Sequence, residues 1–191
     1  MKRQYTVQEF REVTQILRKY YPNASLTTDV IVGFPGETDQ EFNKTYEFLK
    51  EISFYRMHVF KYSPRKGTLA ASMPNQIDGK IKEKRSKMLI SLSEENEIKY
   101  NEASIGKVVE VLFEEEYTEE HFEDKNTKKY DKKIHAKEKS NKNEKYIKGH
   151  TTNYMVVNVK QDEGVKLRSG IIKQVEITNI KGRELLGKLS K

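Results

Sequence analysis

Apolar residues recur at helical spacing in the opening stretch TVQEFREVTQILRKY, residues 6–20, where Phe10, Val13, Ile16 and Leu17 fall on one stripe. Thr6 is placed to cap this helix, and Glu9 three residues on completes a capping box. Pro22-Asn23 ends it. The pattern then shortens to a β-branched run, SLTTDVIVGF, whose Val30-Ile31-Val32 core is too apolar for an exposed face and suits a buried parallel strand. A second capped amphipathic helix follows in TDQEFNKTYEFLKEI, with Thr38 and Glu41 at its start and Phe42, Tyr46 and Leu49 inside. FYRMHVFKYS reads as a second strand, closed by Pro64 and Gly67. A long helix over about 78–103 carries Ile81, Met88, Leu89, Leu92 and Ile98. This α-β-α-β-α order with short connections predicts a piece of an α/β fold with parallel strands.

After Gly106 the period changes. KVVEVLFEE, YMVVNVK, IIKQVEITNIK and ELLGKLS read as short strands separated by turn residues, so a small all-β module of the oligonucleotide-binding barrel kind is expected. Between the first two of these strands, residues from about 118 to 145 are crowded with lysine, asparagine and glutamate and read as a surface insertion. Two domains are therefore expected, 1–105 and 106–191. Two parallel strands with three helices cannot close a barrel, so the first hundred residues read as part of a domain.

Composition narrows the chemistry. The 191 residues carry a formal net charge of +7, which favours an acidic partner, nucleic acid first. Cysteine is absent, which removes disulfides, thiolate nucleophiles, cysteine zinc sites and protein-ligated iron–sulfur clusters. Neither a signal peptide nor an apolar run of about 20 residues is seen, and a cytoplasmic protein without membrane contact is expected.

Two turns carry the candidate chemistry. Gly33-Phe34-Pro35-Gly36-Glu37 follows a strand and opens a helix, where a ligand can approach the backbone and an anion can meet free N–H groups. KYSPRKGT, residues 61–68, repeats the arrangement after the next strand, with Tyr62 and Ser63 at its tip and Arg65 able to clasp a carboxylate or phosphate. Both turns also read as ordinary connections whose Pro and Gly only set geometry. The histidines at 58, 121, 135 and 150 have no metal-site spacing, and His58 reads as a partly buried strand residue. In the β module, Tyr146, His150, Asn153 and Tyr154 lie near Lys145, Lys148 and Lys160. That mixture suits single-stranded RNA, or simply a solvated barrel.

TTDVIVGFPGET followed by MHVFKYSPRKGT resembles the C-terminal half of the radical S-adenosylmethionine (SAM) tRNA methylthiotransferases, most nearly the MtaB-like branch acting on threonylcarbamoyladenosine. The tail from Gly106 to Leu189, with GHTTNYMVVNV and GIIKQVEI, resembles that family's TRAM domain, a small RNA-binding barrel. The resemblance implies the C-terminal part of a radical SAM partial (β/α) barrel followed by a TRAM barrel. It implies an enzyme that adds a methylthio group to C2 of N6-threonylcarbamoyladenosine at position 37 of tRNA, using SAM and two 4Fe–4S clusters. Val30, Ile31, Gly33, Phe34, Pro35, Gly36, Glu37, Phe60, Tyr62, Ser63 and Arg65 would then belong to the SAM pocket. Lys145, Lys148, His150, Asn153, Tyr154 and Lys160 would contact RNA.

The departure from the family is the missing cysteines. Its clusters are held by a Cys-x3-Cys-x2-Cys motif and by three further cysteines, and this chain has none. No cluster and no catalytic residue are expected on it. The expected role is tRNA binding and part of a SAM pocket, with the missing N-terminal cluster-bearing half as a partner. A stand-alone RNA-binding TRAM protein with a non-catalytic α/β remnant is the alternative, and a degraded gene product a third.

Overall fold

Residues 3–118, 144–161 and 167–190 are described by the computed structural model of the chain. They divide into two units, Met1–Ile98 and Lys99–Lys191. The first holds α1 (Val7–Tyr20), β1 (Thr27–Val32), α2 (Asp39–Ile52), β2 (Arg56–Lys61), the short α3 (Leu69–Ser72) and most of α4 (Gly79–Glu102). Both predicted capping boxes form: Thr6 with Glu9, and Thr38 with Glu41. Hydrogen bonds from the cap residue, its backbone N–H foremost, hold the Glu9 and Glu41 carboxyls below their ordinary pKa. What they add to stability is complete above the unfolded carboxyl's pKa and is lost as pH falls through the lower folded value.

β1 and β2 pair in parallel from Thr27↔Arg56 to Val32↔Lys61. Val32, Phe42, Leu49, Ile52, Phe54, Met57, Leu89 and Leu92 form the core beside them. The two sheet edges differ. Along β2, the Met57 N–H donates to the Ser93 hydroxyl of α4 at 2.8 Å, and Arg56 pairs with buried Glu97 at 2.6 Å. Along β1, the Val32 carbonyl faces β2, accepting from the Tyr62 N–H at 2.9 Å. Alternation therefore turns the N–H and C=O groups of Thr27, Asp29 and Ile31 to the other edge, where no described residue meets them.

That uncovered edge explains two departures from the sequence pattern. Val30 and Ile31 are only half-buried rather than enclosed on both faces. On α1, Phe10 packs on the core, but Val13 and Ile16 are 52% and 54% exposed. In α4, Leu89 and Leu92 are buried while Ile81 and Met88 are exposed; its inner face is instead built partly from Arg85, Ser86, Ser93, Asn96 and Glu97. His58 is exposed, a correction to its reading as partly buried, because Met57 takes the inward position on β2.

In the second unit, β3 (Val108–Thr118), β4 (Lys145–Thr151), β5 (Val156–Lys160), β6 (Ile172–Lys181) and β7 (Glu184–Leu189) close a barrel in the order β3-β4-β5-β7-β6. Only β5 and β7 run parallel among these neighbours. Val111, Phe113, Ile147, Val157, Val175, Ile177 and Leu185 fill the interior. β4 escaped the sequence reading because two of its inward positions are Gly149 and Thr151, which carry no hydrophobic signal. The lysine-rich insertion, with His121 and His135, falls mainly on residues 119–143, outside the described residues.

Gly149 permits a close approach of β4 to β3: a Cβ there would sit 2.3 Å from the Leu112 carbonyl oxygen. Backbone cannot swing aside as a side chain can. Gly149→Ala is expected to lower stability by about 1–3 kcal/mol in urea denaturation, while Lys173→Ala on an exposed β6 position stays within about 0.5 kcal/mol.

Candidate functional site

The turn after β1 is held by one carboxylate. Glu37 Oε2 accepts from the Gly33 N–H at 2.7 Å and from Arg85 Nη1 at 2.6 Å. Arg85 is buried. Its Nη1 also reaches the Glu37 carbonyl at 3.1 Å, and its Nη2 binds Asp39 Oδ1 at 2.7 Å. The Glu37 N–H closes the turn on the Phe34 carbonyl at 2.9 Å. Gly33 and Gly36 have φ of 72° and 84°, which side chains rarely adopt. Gly33 has a second reason to be glycine: the Lys82 side chain lies across it, 2.3 Å from where a Cβ would stand.

Lys82 joins this turn to the one after β2. Its ammonium donates to the Tyr62 carbonyl at 3.1 Å and sits 5.4 Å from the Tyr62 ring centroid. That ring meets Phe34 edge-on at 5.3 Å. The Tyr62 hydroxyl is buried without a partner among the described residues. Gly33, Phe34, Glu37 and Tyr62 are thus brought together, and Val30 and Ile31 lead into them. Phe60, Ser63 and Arg65 are exposed. Lys82, Arg85 and Asp39 escaped the sequence reading. The i, i+3 spacing of two cations on the face of a helix next to an acidic turn was their only signal.

The proposed RNA residues do not form one cluster. β4 and β5 run antiparallel, with Tyr146 opposite Lys160 and His150 opposite Val156. Lys145 and Lys160 therefore lie at one end of the barrel, and His150, Asn153 and Tyr154 lie roughly 20 Å away at the other, by the ordinary strand rise. Two of the lysines face carboxylates, Lys148 with Glu184 at 3.3 Å and Lys160 with Glu144 at 2.6 Å, and His150 Nδ1 lies 2.5 Å from Glu114 Oε2. Asn153 Nδ2 donates to the Tyr100 hydroxyl at 3.2 Å.

The model of the radical SAM superfamily matches residues 1–49, which include α1, β1 and the turn after β1. A tRNA-2-methylthio-N(6)-dimethylallyladenosine synthase of Caldicellulosiruptor saccharolyticus is 40% identical over 114 residues, 60% of this chain and 24% of that protein. The threonylcarbamoyladenosine tRNA methylthiotransferase MtaB of Bacillus subtilis is 44% identical over 119 residues, 62% of this chain and 26% of its own length. A probable threonylcarbamoyladenosine tRNA methylthiotransferase of Methanocaldococcus jannaschii is 47% identical over 112 residues, 59% and 26% respectively. Over these stretches the chain is similar to tRNA methylthiotransferases. It spans about a quarter of the length of the curated relatives it matches.

Removing Arg85 leaves the Glu37 carboxylate shielded from water without its cation. Arg85→Met is expected to cost about 3 kcal/mol in urea denaturation, and Arg85→Met with Glu37→Gln to recover part of that loss. A double variant whose loss equals the sum of the Arg85→Met and Glu37→Gln losses would show that the pair does not act as a unit.

Proposed function

We propose that this chain supplies the C-terminal part of a tRNA methylthiotransferase acting at C2 of N6-threonylcarbamoyladenosine, giving one wall of the SAM pocket and a TRAM barrel for tRNA. The observation that carries this reading is the joined pair of strand-end turns, locked by Glu37 and Arg85, on a chain related to tRNA methylthiotransferases. Domain limits of 1–105 and 106–191 belong to the same proposal.

The residues present fit part of a SAM site. Gly36 leaves open space beside the turn, Lys82 lies across Gly33, and the buried Tyr62 hydroxyl has no partner among the described residues. Val30, Ile31, Gly33 to Glu37, Phe60, Tyr62, Ser63 and Arg65 would hold the adenosyl side of SAM, which supplies radical and methyl chemistry when bound. The fit for a 4Fe–4S cluster fails. Cysteine is absent, and among the described residues no group of three or more His, Asp or Glu is placed to hold a metal. Both clusters would come from an N-terminal half, for which the open β1 edge and the apolar face of α1 offer a docking side.

In the proposed complex Glu37 fixes the Gly33 N–H, and Lys82 ties the two turns. The barrel contributes Lys145, Lys148, His150, Asn153, Tyr154 and Lys160 toward tRNA. The closed barrel also supports a second reading, a stand-alone RNA-binding protein, because it needs no further strand to complete it. Among the described residues no helix is long and apolar enough to cross a membrane.

Phosphate contacts release counterions, so affinity of the full chain for a tRNA transcript should fall steeply with salt. For about four phosphate contacts the loss is about 100-fold between roughly 50 and 200 mM. Filter binding over a salt series measures it; absent or salt-independent binding contradicts both RNA readings.

A further inference from the structure

The turn between β4 and β5 displays a tyrosine where tyrosine is costly. Tyr154 has φ of 62°, the left-handed region that favours glycine or asparagine, and a bulky residue there is strained by about 1 kcal/mol or more. The turn is firmly built. The Thr151 N–H donates to the Met155 carbonyl at 3.0 Å, the Met155 N–H returns to the Thr151 hydroxyl at 2.9 Å, and the Tyr154 N–H reaches the Thr151 carbonyl at 2.9 Å. Buried Met155 anchors one side, and Asn153 is bound to Tyr100 on the other. Nothing in the unit uses the ring itself. It is 77% exposed, and among the described residues its side chain makes no hydrogen bond or ring contact.

The same barrel end carries charges of both signs, with Glu184 beside Lys181 and Arg183. β7 runs parallel to β5, so the β6–β7 connection, with Lys181 and Arg183, lies at the end where the 151–155 turn lies. Asn101 Nδ2 of α4 binds the Arg183 carbonyl at 2.7 Å and holds that connection in place. A rigidly mounted, solvent-facing ring is a surface on which an unpaired base stacks.

We propose that Tyr154 is a stacking platform for an unpaired nucleobase of the bound RNA, and that the barrel end carrying the 151–155 turn and Arg183 receives the single-stranded part of the ligand. This rests on the reading of the barrel as an RNA-binding module. It divides the candidate residues by role: Tyr154 contributes stacking, which salt does not screen, and Lys145 at the far end contributes only charge.

The experiment uses the full chain and a tRNA transcript. Tyr154→Asn, which suits the left-handed backbone, should weaken binding about 5- to 150-fold. The slope of log affinity against log salt should stay as in wild type, and the melting temperature should not fall. Tyr154→Phe should bind within about twofold of wild type, because the ring is kept. Lys145→Ala should make the salt slope shallower. The chain has no tryptophan, so Tyr154→Trp introduces a single indole, whose emission should be quenched by saturating tRNA. Tyr20→Trp on exposed α1 should not be quenched. Wild-type binding with Tyr154→Asn undiminished, or an unquenched Tyr154→Trp, overturns the inference alone. A wild-type chain that binds no tRNA overturns it together with the RNA reading.

Discussion

Main-chain N–H and C=O groups in a parallel sheet need partners on both sides, and the first unit supplies them on one. Helix α4 covers the β2 edge with the Ser93 hydroxyl and the Glu97–Arg56 pair. Beside β1 there is no equivalent among the described residues, and the half-buried Val30 and Ile31 and the exposed stripe of α1 follow from that one gap. An isolated two-stranded sheet is a weak structure, and here it is supported by the helices on one side and by Glu37 and Arg85 at its end. The same lock shapes the turn proposed to face SAM, so stability and function of this unit meet in one buried ion pair.

Much of this unit is legible from residue spacing. Both capping boxes, both strands and the long helix lie where the periodicity puts them, because each depends on contacts within a few residues. What spacing does not reveal is which apolar stripe finds a neighbour. Val13 and Leu89 look alike in sequence, yet one is exposed and the other fully buried, since burial depends on elements distant in the chain. Arg85 was missed for the same reason: its partners Glu37 and Asp39 precede it by more than forty residues.

The barrel shows the complementary case. β4 is invisible to a hydrophobic pattern because Gly149 must be small to let β3 approach, and small inward residues read as a turn. The lysines that suggested RNA in the sequence are separated by strand direction, and two of them, Lys148 and Lys160, already face carboxylates. Tyr154 stands out only when its backbone angle and exposure are known. Among the described residues the chain thus holds a two-stranded parallel layer with one uncovered edge and a barrel that is closed.

The proposed function requires that a cluster-bearing partner complete the α/β unit. The most direct measurement mixes the full chain with a reconstituted N-terminal half of the Bacillus subtilis relative, then digests the tRNA and examines its nucleosides by mass spectrometry. The account predicts methylthiolated nucleoside only when both polypeptides are present, and loss of that product when Val13→Glu and Ile16→Glu block the α1 face. Product formed by either polypeptide alone, or two polypeptides that neither associate nor modify tRNA, would contradict it.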